Sequence, residues 1–217
     1  MRIALVADLH GNLPATAAVH DDIKSRGADA IWCLGDVVGK GPDSPETMDW
    51  ALANCAIVLK GNWDNFIGTN EWYAAQLGEQ RLRTLQSLPL EHWFTLSGRR
   101  FRLIHGRDIV PDCVYHNSPI EEQLRFFDVP GKPDIVGFAD IHRPFWVQLN
   151  EAGILFNTGS VGNALGGDVF AKYTIIEGEA GQANAPLAHT IVSVAYDQDE
   201  AVRRAHERKQ PQYDAFI

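Results

Sequence analysis

The first half of the chain alternates apolar runs with helical stretches, and this order limits the available folds more than any other feature. Ile3 to Ala7 reads as a buried strand, Pro14 to Ser25 as a helix with proline near its first turn, and Ile31 to Leu34 as strand again. Pro45 to Ala53 reads as helix, Ile57 to Lys60 as extended, and Glu71 to Ser87 as a longer helix ended by Pro89. Such a βαβαβα order calls for crossover connections, and so for a parallel sheet. From Phe94 the texture changes. Phe101 to His105, Ile135 to Phe138, Phe145 to Leu149, Ile154 to Asn157, Lys172 to Ile176 and Thr190 to Tyr196 read as strands, with helix only at Pro119 to Phe127 and Asp199 to Lys209. A parallel half followed by a mostly antiparallel half predicts two sheets packed face to face with helices outside. The chain has 217 residues, 45% of them hydrophobic, enough to bury a sizeable core. It shows no internal repeat and no linker rich in Pro, Gly or Ser, so residues 1–217 are expected to form a single domain.

Polar side chains recur where the apolar runs stop: Asp8 and His10, Asp36, Asn62, His105, then Asp140 and His142. Each has an ordinary explanation. Asp8 could cap the helix that follows. Gly61 and Asn62 could be a turn in which Asn tolerates left-handed geometry, and a lone histidine after a strand is more often a satisfied core or edge residue than a ligand. The order changes the odds, because ligands of α/β sites sit at strand ends and here five strands deliver one or two each. Together these groups could hold two metal ions.

A formal net charge of −9 argues against broad nucleic-acid binding and against a membrane surface, since both partners are polyanionic. An anionic substrate would need a local positive centre, which bound metals would supply. Cys33, Cys55 and Cys113 have no CxxC spacing and an odd count, which argues against a disulfide framework. The opening run leads straight into Asp8, Leu9 and His10 and is too short for a signal sequence, so the expected compartment is the cytoplasm.

Taken with their neighbours, these residues resemble the calcineurin-like metallophosphoesterases, and most closely the compact bacterial and archaeal phosphodiesterase-like branch. The resemblance rests on Asp8, His10, Gly11 and Asn12; on Gly35 to Gly39 with Gly41 and Pro42; on Gly61, Asn62 and Asp64; on His105 and Gly106; on Asp140 and His142 to Pro144; and on Asn157 with Gly159 to Gly162. It implies an α/β, four-layer α/β/β/α sandwich of two mixed sheets flanked by helices. It further implies a dinuclear centre of divalent metals, one held by Asp8, His10, Asp36 and His142, the other by the bridging Asp36 with Asn62, His105 and Asp140. In such enzymes two cations about 3.5–4 Å apart share a carboxylate and a bridging hydroxide that attacks phosphorus. Asp36, Asn62, Asp64 and His105 are accordingly the expected catalytic set, with Asp64 orienting a ligand or the Asn62 loop by a hydrogen bond.

Two positions depart from the family pattern. Trp63 stands where most members have the histidine of GNHD, often assigned as general acid. That role is typically worth ~10²–10⁴-fold, so its loss favours leaving groups that depart unprotonated, such as aryl phosphates, phosphoanhydrides and strained cyclic diesters. Trp63 itself reads as a packing residue beside the site or as a stacking platform. Asp140 stands where the family has the first histidine of GHTH. A carboxylate there hardens the second position, favouring manganese, with iron or zinc as alternatives. It also leaves a two-metal site neutral where an imidazole would leave it positive, which makes a diester monoanion relatively more acceptable than a monoester dianion.

Arg107, Asn12 and His116 are the candidate substrate contacts: Arg107 could grip phosphate through parallel hydrogen bonds, Asn12 could touch phosphate or merely shape its turn, and His116 lies in the irregular stretch 108–118 expected to rim the site. The expected partner is a small, nucleotide-like phosphorylated molecule. Trp72, Tyr73, Trp93 and Phe94 leave room for a contact surface, such as that of a homo-oligomer, or for core packing. The same fold also serves as a scaffold in a retromer subunit, so an interaction module or a nucleotide- or metal-binding sensor stands as the alternative to an enzyme.

Overall fold

The computed structural model of the chain describes residues 1–165 and 168–211. Its elements run β1 (Arg2–Val6), α1 (Leu13–Ser25), β2 (Ala30–Cys33), α2 (Ser44–Asn54), β3 (Ile57–Val58), α3 (Asn62–Phe66), α4 (Glu71–Ser87), β4 (Glu91–Leu96), β5 (Arg99–Ile104), α5 (Ile120–Leu124), β6 (Ile135–Phe138), β7 (Phe145–Leu149), β8 (Gly153–Asn157), β9 (Ala171–Glu177), β10 (Ala188–Val194) and α6 (Gln198–Glu207). One sheet has the order β10-β9-β1-β2-β3 and the other β4-β5-β6-β8-β7.

The sheets do not divide the chain into a parallel and an antiparallel half. Each has a parallel centre, β1-β2-β3 in one and β5-β6-β8 in the other, with antiparallel strands on the flank. The first sheet is completed from the far end of the sequence, where Arg2 to Leu5 pair antiparallel with Glu177 to Thr174. Sequence periodicity cannot reveal this, because a buried parallel strand and a buried antiparallel one are both short apolar runs. Other differences are local. Glu91 to Leu96 forms a strand, residues 62–66 form a short helix, and α4 is interrupted at Gly78, whose φ is 70°.

Between the sheets lies an apolar core of Ile3, Leu5, Leu34, Phe101, Leu103, Ile135, Phe156 and Ile176. Phe101 and Phe156 are fully buried there, and truncating either to Ala should cost about 3–5 kcal/mol. On its outer face the first sheet is covered by α1, α2 and α4 through Val19, Ile23, Met48, Ala51 and Leu77. The buried positions of α1 (Ala15, Thr16, Val19, Ile23) fall at helical spacing, and Asn12 caps it by accepting from the Ala15 N–H. The second sheet is covered by α5 and the irregular 109–127 segment, with Val110, Val114 and Phe126 against Val136 and Phe138. The fold is therefore α/β, two mixed sheets in four layers, and all the parallel strands end on one side.

Candidate metal centre

Asp8 and His10 follow β1, Asp36 follows β2, Asn62 follows β3, His105 follows β5, and Asp140 and His142 follow β6. These are the carboxyl ends of the parallel strands, where an α/β fold leaves room for a site. Asp8, His10, Asp36, Asp140 and His142 all lie in the left-handed region, with φ of 53°, 46°, 53°, 69° and 59°. Each such conformation costs on the order of 1 kcal/mol and persists only where surrounding contacts impose it. Here the strand-end loops hold one another: Asp8 N–H donates to Gly35 O at 2.9 Å, His10 N–H to Asp36 O at 3.0 Å, and Gly162 N–H to Asp8 O at 2.8 Å.

Two triads form within the cluster, Asp8 with His10 and His142, and Asp8 with Asp36 and His105, and their donor atoms in each lie within 4.8 Å of one another. His142 Nε2 is 3.4 Å from Asp8 Oδ1, and His10 Nε2 is 3.6 Å from Asp36 Oδ2. His105 Nε2 is 3.3 Å from Asp36 Oδ2, 3.0 Å from Asn62 Oδ1 and 3.9 Å from Asp140 Oδ1. Every histidine is oriented from behind by a carbonyl facing its Nδ1: Val38 O for His10, Leu34 O for His105 and Asn163 O for His142. That contact selects the Nδ1–H tautomer and turns Nε2 toward the cluster, the usual way a protein aims an imidazole at a metal.

Whether this donor set suits a cation is decided by Asp8. Both of its carboxylate oxygens are fully buried, and neither has a hydrogen-bond donor. Burial works against its charge, but His142, His105 and Lys40 outweigh it and hold the carboxyl below the usual range. A buried, ionised and undonated carboxylate flanked by two imidazole nitrogens is suited to a positive ion. Burial, with Lys40 and His142 nearby, holds His10 well below the normal histidine value, so it stays neutral and able to coordinate. His105 differs: burial opposes its charge, yet Asp36 with Asp8 and Asp140 pushes it up to about 10.

Asp64 is fully buried behind the cluster. Its oxygens accept from the N–H groups of Asp36 (2.8 Å), Gly61 (2.9 Å), Val37 (3.0 Å) and Val38 (3.3 Å), so it positions the Asp36 and Asn62 loops without facing the cluster. Burial and the nearby Asp36 push its carboxyl up to about 7, against the pull of those donors. Gly61 is required beside it, because a Cβ there would stand 2.1 Å from Asp36 Oδ1.

The remaining candidates are placed differently. Asn12 is 1% exposed and is used at both ends, with Oδ1 accepting from Ala15 N and Nδ2 donating to Gly162 O at 2.9 Å. Arg107 grips Asp140, Nε reaching Oδ1 at 2.7 Å and Oδ2 at 2.9 Å. His116 is exposed and, with Tyr115, Asn117 and Arg143, lines a separate open pocket. Trp63 packs its ring edge against His10 and near Phe66, while its N–H donates to Asp36 Oδ1 at 2.8 Å.

Lys40 and Asn163 were missed by sequence reasoning. Lys40 Nζ lies 3.4 Å from His142 Nε2, 3.1 Å from Asn163 Oδ1 and 5.7 Å above the Trp63 ring. It forms no ion pair with a carboxylate among the described residues. Burial lowers its pKa, opposed by Asp8, Asp36 and Asp140. Its backbone is held from far along the chain, where the Gln210 side chain donates to Lys40 O, while Arg204 of α6 and Arg208 just past it clamp buried Asp43. The available signal was its place between Gly39 and Gly41 in a motif already singled out. Asn163 lies one residue past another such motif.

The sequence profile of the calcineurin-like phosphoesterase superfamily domain matches residues 1–181. The protein MJ0912 of Methanocaldococcus jannaschii is 28% identical over 239 aligned residues, covering 97% of this chain and 94% of that one. Phosphodiesterase YfcE of Escherichia coli K12 is 26% identical, covering 82% of this chain and 89% of its own length. Among solved structures, a metallophosphoesterase from Sphaerobacter thermophilus superposes with a TM-score of 0.78 over 100% of both chains at 23% identity, a likeness of fold. With the profile spanning most of its length, the chain belongs to the calcineurin-like phosphoesterase superfamily.

Proposed function

We propose that this protein is a metal-dependent phosphoesterase that hydrolyses phosphodiesters or activated phosphate esters at a dinuclear centre, with cyclic nucleotides, aryl diesters and nucleotide anhydrides as the substrate types. The observation that carries this reading is the undonated, fully buried Asp8 carboxylate between the Nε2 atoms of His10 and His142. The phosphodiesterase named among the relatives supports the diester preference. Asp8, His10, Asp36 and His142 are assigned to one cation, and Asp36, Asn62, His105 and Asp140 to the other. Divalent ions there, manganese favoured over iron or zinc, supply Lewis-acid charge at the phosphoryl oxygens and lower the pKa of water.

The chain's own residues do the rest. Asp64 fixes the loop that carries Asp36, and the carbonyls behind His10, His105 and His142 fix the imidazoles, so the donors need little reorganisation. Lys40, an ammonium beside the cluster without a carboxylate partner, is assigned to the anionic oxygens of the substrate. Trp63 forms a wall that donates no proton from its ring position to a leaving oxygen, which restricts good substrates to those whose leaving group departs as a stable anion. A cytoplasmic setting is consistent with the three free cysteines, and no helix among the described residues is long and apolar enough to cross a membrane.

The test is hydrolysis of an aryl phosphodiester with and without Mn²⁺, in the wild type and in Asp36→Ala. Turnover should require the metal and fall about 10³-fold or more in the variant, since Asp36 is assigned to both cations. No turnover by the wild type, or undiminished turnover by Asp36→Ala, rejects the reading.

A further inference from the structure

We propose that Arg107 is a built-in competitor for the second cation: its guanidinium closes on Asp140 and withholds that carboxylate from the donor set until the pair opens. This rests on the two-cation reading above and deepens it.

The geometry of the pair carries the inference. Arg107 Nε reaches Oδ1 at 2.7 Å and Oδ2 at 2.9 Å, and Nη2 reaches Oδ1 at 2.6 Å. Both carboxylate oxygens are thus occupied, and the one held twice, Oδ1, is also the one 3.9 Å from His105 Nε2, on the side the second cation would use. A carboxylate offers about four lone-pair positions, and a charge-assisted fork that holds both oxygens leaves a cation neither full charge nor open geometry. Consistent with this, the donor triad around His105 is completed by Asp8 and Asp36, without Asp140.

The two partners differ in freedom. The Asp140 side chain is only 2% exposed, whereas that of Arg107 is 43% exposed and has room to swing away. The approach is also fixed by the backbone, because a Cβ at Gly106 would stand 2.8 Å from the Asp140 Cβ; only glycine lets the 105–107 segment lie so close. No guanidinium fork of this kind holds Asp8 among the described residues. Asp8, His10 and His142 have no hydrogen bond or ion pair to Arg107, so the first cation is held independently of it.

The pair therefore grades the two positions, one cation binding tightly and the second only against the guanidinium. Equilibrium Mn²⁺ titration by calorimetry, with bound metal counted after dialysis, tests this on the wild type, Arg107→Ala, Asp140→His and the double variant. The wild type should bind one ion tightly and a second about tenfold or more weakly; Arg107→Ala should tighten the second about tenfold and leave the first within about twofold. In the Asp140→His background, which offers the guanidinium no carboxylate, adding Arg107→Ala should change neither affinity by more than about twofold. Two wild-type ions of equal affinity, a second site unchanged or weakened in Arg107→Ala, or an equal Arg107 effect with histidine at 140 each overturn the proposal while leaving the phosphoesterase reading intact. A wild type that binds no Mn²⁺ overturns both.

Discussion

The Nε2 atoms of His10 and His142 stand 3.1 Å apart, although 132 residues separate them. Each ring has a carbonyl at its Nδ1, so two nitrogen lone pairs point at one spot beside the undonated Asp8 carboxylate. The facing lone pairs repel one another and the Asp8 carboxylate, and a cation at that spot would relieve this. The folded state should therefore gain strongly from metal. At a concentration about 100 times Kd, binding contributes about 2.7 kcal/mol, and for a chain of this length each kcal/mol shifts Tm by about 2–4 °C. Saturating Mn²⁺ is expected to raise Tm by about 5–10 °C in calorimetric scans, excess chelator to reverse it, and His10→Ala to abolish most of the rise.

Trp63 stands where the resemblance places the histidine of GNHD, packed against His10 with its backbone N–H donating to Asp36. Trp63→His should raise turnover of an alkyl phosphodiester by about 10²-fold, while an aryl diester, whose leaving group needs no proton, changes only a few-fold. An equal gain on both substrates would show that the tryptophan acts by obstruction.

Lys40 faces the cluster with no carboxylate in ion-pair contact among the described residues. Lys40→Met keeps the length of the stem and its contact with the Trp63 face but removes the charge. Steady-state kinetics should show KM rising about tenfold with kcat changed less than about threefold, the signature of binding that is the same in the ground and transition states. A fall in kcat at constant KM would place Lys40 in the chemical step instead.

His189 packs on Trp146 and Phe156 between the sheets, with ring centroids 4.1 Å and 5.4 Å away, and its Nε2 is buried without a partner. Burial lowers its pKa from 6.5 to about 4. Between those values the unfolded chain binds the proton and the folded one does not, so this group's contribution to stability is present above pH 6.5 and is lost as pH falls toward 4. Thermal melts of wild type and His189→Phe from pH 7.5 to 5 should converge or cross toward the variant's favour on acidification, because phenylalanine takes up no proton. Parallel curves would show that His189 is protonated in the fold.

The strand ends and the residues that follow them were readable because a glycine turn after an apolar run leaves a mark in one short window of sequence. Asp8, His10, Asp36, Asn62, His105, Asp140 and His142 do converge in space. What could not be read depends on partners far along the chain. The antiparallel pairing of β1 with β9 joins residues 2–5 to residues 174–177, and nothing near either segment names the other. The same holds at the site. Arg107 finds Asp140 across 33 residues and Lys40 finds Asn163 across 123, so their roles follow from packing and not from spacing. Asn12 shows the opposite case, a short-range capping residue whose second hydrogen bond, to Gly162, is distant.

That β1 is zipped to β9, and that Lys40 is held from Gln210, sets an order of events during folding. The first strand precedes its antiparallel neighbour by some 170 residues, and the clamp on the Lys40 turn follows later still. Contacts of such separation are slow to close, since the loop entropy is lost before any pairing is gained. The donors of the cluster thus reach their places late in folding, after residues 174–177 have joined β1 and Gln210 has closed on the Lys40 turn.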